Sequence, residues 1–162
     1  MSAKVIDRLK ERFGGDILST SCHRGDDVAV VARERIADVL GFLRDDGETQ
    51  MDFPTDLTAV DWLGRAEPRF EVVYQLYSTT RKHRVRLKVR VPEDDPVVAS
   101  ATPLFPGWGW FEREVFDMYG IKFAGHPDLR RIFMYDEFVG HPLRKDYPKE
   151  KRQPLARREG DS

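Results

Sequence analysis

The sequence predicts an α+β fold: a mainly antiparallel β-sheet packed by helices, followed by a long extended C-terminal arm. Three observations lead there. From Arg84 to Val91 the chain alternates strictly, with Arg84, Arg86, Lys88 and Arg90 on one face and Val85, Leu87, Val89 and Val91 on the other. That is the period of a half-buried strand. The β-rich run Phe70 to Tyr77 precedes it across the polar turn Ser78–Lys82, which makes the two a hairpin. Upstream, Ile36, Val39, Leu40 and Leu43 recur at helical spacing.

The remaining elements follow in chain order. Val5, Ile6, Leu9 and Phe13 form a first helical stripe that Gly14 and Gly15 end. Ile17–Ser21 reads as a short strand, and Val28–Val31 as its partner across the turn His23–Asp26. The helix over Ile36 to Leu43 stops near Gly47, and Leu57 to Trp62 gives a third strand. After Val91 the prolines Pro92, Pro96, Pro103 and Pro106 punctuate an irregular stretch. A helix-like pattern then runs from Trp108 to Tyr119, with Phe111, Val115 and Met118 on one side. Beyond Phe123 there is little periodicity, and such a stretch is expected to drape over another surface. The expected organisation is an α/β body over residues 1–94, then a partner-binding helix and extended arm over 95–162.

Composition narrows the function. The chain has 162 residues, 40% hydrophobic and 34% charged, enough to bury a core without a staple. One cysteine, Cys22, excludes an internal disulfide and an all-cysteine iron–sulfur cluster held by this chain alone. No signal-peptide core or membrane-length apolar run is present, so the chain is expected to be cytosolic or attached to a membrane only through partners. The net charge of −1 is unevenly spread. Residues 1–129 carry 18 Lys/Arg against 22 Asp/Glu, whereas residues 130–158 carry nine against four. A basic arm on a mildly acidic body is expected to lie on another surface.

Several residues could carry chemistry. Glu112, Glu114 and Asp117 could pair carboxylates for acid–base work. On a helix Glu114 and Asp117 are i, i+3 neighbours and Arg113 reaches Asp117 at i, i+4, which favours an ion-pair lattice that fixes the following loop. His126 and His141 would need two further ligands to hold zinc, with Cys22 and His23 the only remote candidates. Between Gly and Pro they are more simply read as ties to backbone groups. Neither a Gly-x-Gly-x-x-Gly loop nor a Gly-Lys-Ser/Thr phosphate loop occurs. The basic stripe of Arg84, Arg86, Lys88 and Arg90 could meet nucleic acid, but the pI near 6.4 and the absence of interleaved aromatics favour a solvated or partner-facing surface. Trp108, Trp110, Phe111, Phe116 and Tyr119 could form either a core plug or an interface anchor.

The run Glu112-Arg113-Glu114-Val115-Phe116-Asp117-Met118-Tyr119-Gly120-Ile121 resembles the signature of the C ("30 kDa") subunit family of respiratory complex I. So do Gly125-His126-Pro127-Asp128-Leu129-Arg130-Arg131-Ile132 and the closing Gly140-His141-Pro142-Leu143-Arg144-Lys145-Asp146-Tyr147-Pro148. The likeness spans roughly residues 30–150, and Phe133 stands where the signature usually has an aliphatic residue. It implies a structural subunit of the proton-translocating NADH:quinone oxidoreductase, placed in the peripheral arm on the cytoplasmic face of the bacterial inner membrane. The implied partners are the D (49 kDa type) subunit, which forms much of the quinone pocket, and the neighbouring terminal-cluster subunit. No cofactor is expected in this chain, because flavin and iron–sulfur clusters are held by other subunits. Glu112, Arg113, Glu114, Asp117, His126, Arg130, Arg131, His141, Arg144 and Lys145 are the implied partner-binding and structural signature. Competing readings are the equivalent subunit of a membrane-bound hydrogenase or other quinone-linked dehydrogenase, a nucleic-acid-binding module, and a hydrolase using Glu112, Glu114 or Asp117.

Overall fold

Helix α1 (Ala3–Phe13) leads into β1 (Ile17–His23) and β2 (Asp26–Val31), an antiparallel hairpin in which Ile17 faces Val31 and His23 faces Asp26. Helix α2 (Ile36–Asp45) and strands β3 (Phe53–Asp61), β4 (Phe70–Tyr77) and β5 (Arg84–Val91) follow. The last elements are β6 (Val97–Ala99), α3 (Trp108–Tyr119) and β7 (Lys122–Ala124). This computed structural model describes residues 3–151 and residue 153 of the chain. The end of the expected arm, residue 152 and residues 154–162, lies outside the described residues.

The sheet has five strands in the order β1-β2-β5-β4-β3. The predicted hairpin is present, with Phe70 opposite Val91 and Tyr77 opposite Arg84. β3 adds antiparallel to β4, with a bulge between Pro54 and Asp56. β2 pairs with β5 in parallel, Val28 opposite Arg86 and Val31 opposite Val89, so the sheet is mixed. A pairing between strands so far apart in sequence leaves no local turn signal, so the sequence does not place this one parallel pair within the mainly antiparallel sheet. β6 and β7 form a separate parallel pair on either side of α3.

Alternation decides which face is buried. Val72, Tyr74 and Leu76 of β4 and Val85, Leu87, Val89 and Val91 of β5 point into one apolar cluster. Val5, Ile6 and Leu9 of α1, and Ile36, Val39, Leu40 and Leu43 of α2, close it from the helix side. Each such fully buried aliphatic side chain contributes about 1.5–3 kcal/mol relative to exposure. The cluster continues past residue 94 through Val98, Ala101, Phe105, Trp108, Val115, Ile121 and Phe123. Trp108 is fully buried and packs against Tyr74 and Phe105 at ring-centroid distances of 5.6 and 5.0 Å. Helix α3 therefore shares the core of the sheet, and its chief strand contact is β3.

Candidate functional site

Helix α3 buries carboxylates as well as apolar groups, and these organise everything that follows it. Glu112 points inward beneath the turn before the helix. Its Oε1 accepts from the Ala101 amide and its Oε2 from the Ser100 hydroxyl, both at 2.6 Å. The fully buried carboxylate thus holds that turn, and burial pushes its pKa up against these two bonds. His126 sits 4.0 Å from Glu112. Its Nδ1 accepts from the Asp128 amide at 3.0 Å, which leaves Nε2 to donate to the Gly109 carbonyl at 3.1 Å. His126 is therefore a backbone tie.

Asp117 fixes the segment beyond. It is buried, and Arg131 Nη1 donates to Oδ1 at 2.7 Å. The amides of Ile132, Phe133 and Met134 donate to Oδ2 at 3.1, 2.8 and 2.9 Å. Burial pushes this carboxyl up, but the Met134 and Phe133 amides, the guanidinium and the Ile132 amide outweigh it and hold it low. Arg131 also donates to the carbonyls of Phe138 and Gly140, both at 3.1 Å, so one guanidinium ties the loop at two places.

The helix ends at Gly120, whose φ of +76° is the left-handed cap conformation. A β-carbon there would lie 2.5 Å from His141 Nε2 and 2.8 Å from Arg144 Nη2, so the close approach of the strap, the irregular segment 125–151 that follows β7, also needs glycine. His141 Nδ1 meets the Asp117 carbonyl at 2.9 Å, and burial lowers its pKa. Arg144 Nε donates to the Tyr119 carbonyl at 2.6 Å, and its guanidinium lies 5.0 Å from the Phe70 ring centre.

A third tie lies at the sheet end and involves residues that sequence reasoning missed. Arg69 grips Asp61 with Nε and Nη2 at 3.0 and 2.8 Å. Its Nη1 reaches Glu93 at 2.5 Å, and its Nη2 reaches Asp146 at 2.7 Å. Asp61 also accepts from the amides of Leu63 and Lys145, at 2.9 and 2.8 Å. Burial pushes Asp61 up, but the Arg69 bonds and those two amides bring it down to about 2. Arg69 stands between Pro68 and the apolar run of β4, where only its unusual position as a charge at a strand mouth could have drawn notice.

The structure thus brings Glu112, Asp117, His126, Arg131, His141 and Arg144 into one seam between α3 and the strap. Arg113 departs from the expected helix lattice. It donates to the Arg130 and Arg131 carbonyls at 3.1 and 3.0 Å and covers Trp110, while Arg131, arriving from the loop, takes the Asp117 carboxylate. The reason is geometric: Asp117 points inward and Arg113 points outward. Glu114 has no hydrogen bond or ion pair among the described residues. Arg130 is exposed and pairs with Asp128 at 3.0 Å, and the Lys145 side chain is exposed. The aromatic cluster divides between the two readings, since Trp108 is core and Trp110 is 62% exposed. Phe133, Val139 and Leu143 on the strap are exposed as well. Among the described residues no three His, Cys, Asp or Glu side chains gather as metal ligands, and no helix is long and apolar enough to cross a membrane.

Comparison with known proteins bears on what this seam serves. The family model described as respiratory-chain NADH dehydrogenase, 30 kDa subunit, matches residues 29–153. The C subunit of NADH-quinone oxidoreductase from Geobacter sulfurreducens is 48% identical over 145 residues, 90% of this chain and 88% of that protein. The same subunit from Roseiflexus sp. (strain RS-1) is 52% identical over 147 residues, 91% of this chain and 84% of that one. A solved trypsin-resistant fragment (1-134) of Nqo5 superposes with a TM-score of 0.68 at 31% identity, covering 80% of this chain and all of the fragment. A chain of an archaeal membrane-bound sulfane sulfur reductase shares the fold, with a TM-score of 0.78 at 22% identity over 91% of this chain and 86% of that one.

Proposed function

The chain belongs to the respiratory-chain NADH dehydrogenase 30 kDa subunit family, and from that premise we propose that it is a cofactor-free structural subunit that docks on the D subunit, the chain that forms much of the quinone pocket. It is a subunit of the peripheral arm of NADH:quinone oxidoreductase, the enzyme that carries electrons from NADH to quinone in the respiratory chain. In the reading we favour, it lies on the cytoplasmic face of the membrane, held there by its partners, with the terminal-cluster subunit as its second neighbour. Residues 95–162 carry the contact with the D subunit.

One observation carries the scaffold reading: the polar groups of the seam terminate on one another and on backbone. Glu112 holds the turn at Ala101, Asp117 holds three consecutive amides and Arg131, and Arg144 holds the end of α3. Such closed sets shape a surface and leave no paired nucleophile and base facing a cleft. The single cysteine and the lack of nucleotide loops support the cofactor-free part.

The test is capture of this chain from native membranes, with flavin, iron and NADH:quinone activity assayed in the co-purifying proteins. Co-purification of the D subunit with all three is expected. Recovery of the chain alone, or stoichiometric flavin on the isolated chain, would overturn the reading.

A further inference from the structure

The five-stranded sheet has a second face that the strap does not use. All helices pack on the face that carries Val85, Leu87, Val89 and Val91. On the opposite face of β5 stand Arg84, Arg86, Lys88 and Arg90, outside the apolar cluster that the helices close. β5 lies in the middle of the sheet, so this row runs along the centre of the open face.

The register sets the surroundings of each cation. Val28 and Gln75 flank Arg86, Val30 and Val73 flank Lys88, and Glu71 lies beside Arg90. Val28 and Val73 are buried and make an apolar floor between the cationic stems. Glu71 is the carboxylate within this row, and only 1% of its side chain is exposed. Lys88 Nζ and Arg90 Nε lie 2.9 and 3.1 Å from its oxygens, so the acid is submerged beneath two side chains that remain 26% and 33% exposed, although Arg90 Nη1 is itself buried. Arg84 stacks over Tyr77 at 4.9 Å, and Arg86 receives only a long contact with Gln75 at 3.4 Å. Neither has a carboxylate within ion-pair distance among the described residues, although Asp26 and Asp27 line the cavity beside them.

We propose that this open face is a docking surface for a carboxylate-rich stretch of another polypeptide chain in the assembly. Alternate strand residues project at intervals of about 6.8 Å. An extended segment with an acid at every second position repeats at that same interval. Arginine forks seek bidentate carboxylates, and the unpaired pair Arg84 and Arg86 offers two of them. Nucleic acid fits the face less well. The flanking rings of Tyr77 and Trp62 are already covered by Arg84 and Arg90, so no free stacking platform remains, and the net charge of the chain is −1.

Amine footprinting tests the proposal on the full chain and on the native complex. Lys88 should label in the isolated chain and be protected severalfold in the complex. In parallel, the isolated chain should bind a short poly-glutamate peptide, and the double variant Arg84→Gln/Arg86→Gln should bind it about three- to tenfold more weakly. That variant leaves the Glu71 pairs intact and should keep the wild-type melting curve. Equal labelling of Lys88 in both states overturns the proposal, as does peptide binding that ignores the double substitution. Tighter binding of a thymidine oligonucleotide of equal charge would assign the face to nucleic acid instead.

Discussion

Arg131 and Asp117 meet at 2.7 Å across the seam, the carboxylate fully buried and the arginine side chain 17% exposed. Removing one partner of a buried ion pair typically costs about 3–5 kcal/mol. Asp117→Asn is therefore expected to lower the unfolding free energy by about 3 kcal/mol, read from denaturant melts. Trypsin should then cut faster at Arg130, Arg131 and Arg144. The exposed pair Asp128–Arg130 is the control, since Asp128→Asn should change stability by less than about 1 kcal/mol.

Acid should loosen the sheet-end clamp. Asp61 titrates at about 2 in the folded chain, below its ordinary value of 3.8. A carboxyl held low stabilises the fold above its unfolded pKa, and that stabilisation is lost as pH falls toward the folded one. Its share is about 2.5 kcal/mol at neutral pH. Stability should stay level above about pH 5 and decline between about pH 4 and 2. Asp61→Asn should flatten that decline and be less stable than wild type at pH 7, as a pH series of denaturant melts would show.

Glu112 has the opposite sign. Burial raises its pKa in the folded chain, so the native state holds the proton more tightly than the unfolded state does. Its contribution is greatest at low pH and falls as pH rises through the raised pKa. Glu112→Gln should remove that loss and be at least as stable as wild type at pH 8. Glu112→Ala leaves the Ser100 hydroxyl and the Ala101 amide without their acceptor and should cost about 2 kcal/mol.

Gly120→Ala carries two penalties, the left-handed backbone and the encounter with His141. Gly25 has a φ of +89° but open space around it. Gly25→Ala should therefore lose about 1–2 kcal/mol, the backbone penalty alone. Gly120→Ala should lose more, and its excess measures how firmly the strap is seated. Matched thermal melts and proteolysis of the two variants provide the comparison.

Arg144→Ala should reduce the amount of assembled complex and its NADH:quinone activity together, with activity per assembled complex little changed. The cause lies within the chain: Arg144 holds Tyr119 and Phe70, so its loss frees the strap before any partner is met. Native gels with in-gel NADH staining read both quantities. Full assembly without turnover would give Arg144 a direct role in the reaction.

Local pattern makes the sheet readable. The strict alternation of Arg84–Val91 and the turn at Ser78–Lys82 give β4 and β5 directly, and the stripe of Ile36–Leu43 gives α2. The two histidines between Gly and Pro read as backbone ties, and both make such bonds. What escapes is long-range. The parallel pairing of β2 with β5, the short β6 and β7 strands, and the gathering of Asp61, Glu93 and Asp146 around Arg69 join residues that no spacing rule connects. Helical spacing assigns Asp117 the wrong arginine, because it knows Arg113 as a neighbour and knows nothing of a loop that returns.

Arg69 and Asp146 lie 77 positions apart, so synthesis imposes a waiting time on the clamp. A nascent chain exposes the β1–β2 hairpin well before β5 arrives to pair with it, and an isolated hairpin is marginal in water. When β4 emerges, Arg69 has Asp61 at hand, while Asp146 is still to be made. A message truncated before that codon would yield a chain whose sheet and seam can close but whose clamp lacks its last carboxylate. The Arg69 guanidinium of such a product would keep Asp61 and Glu93 but lose its third acid, so the clamp is completed only after every strand of the five-stranded sheet has been made.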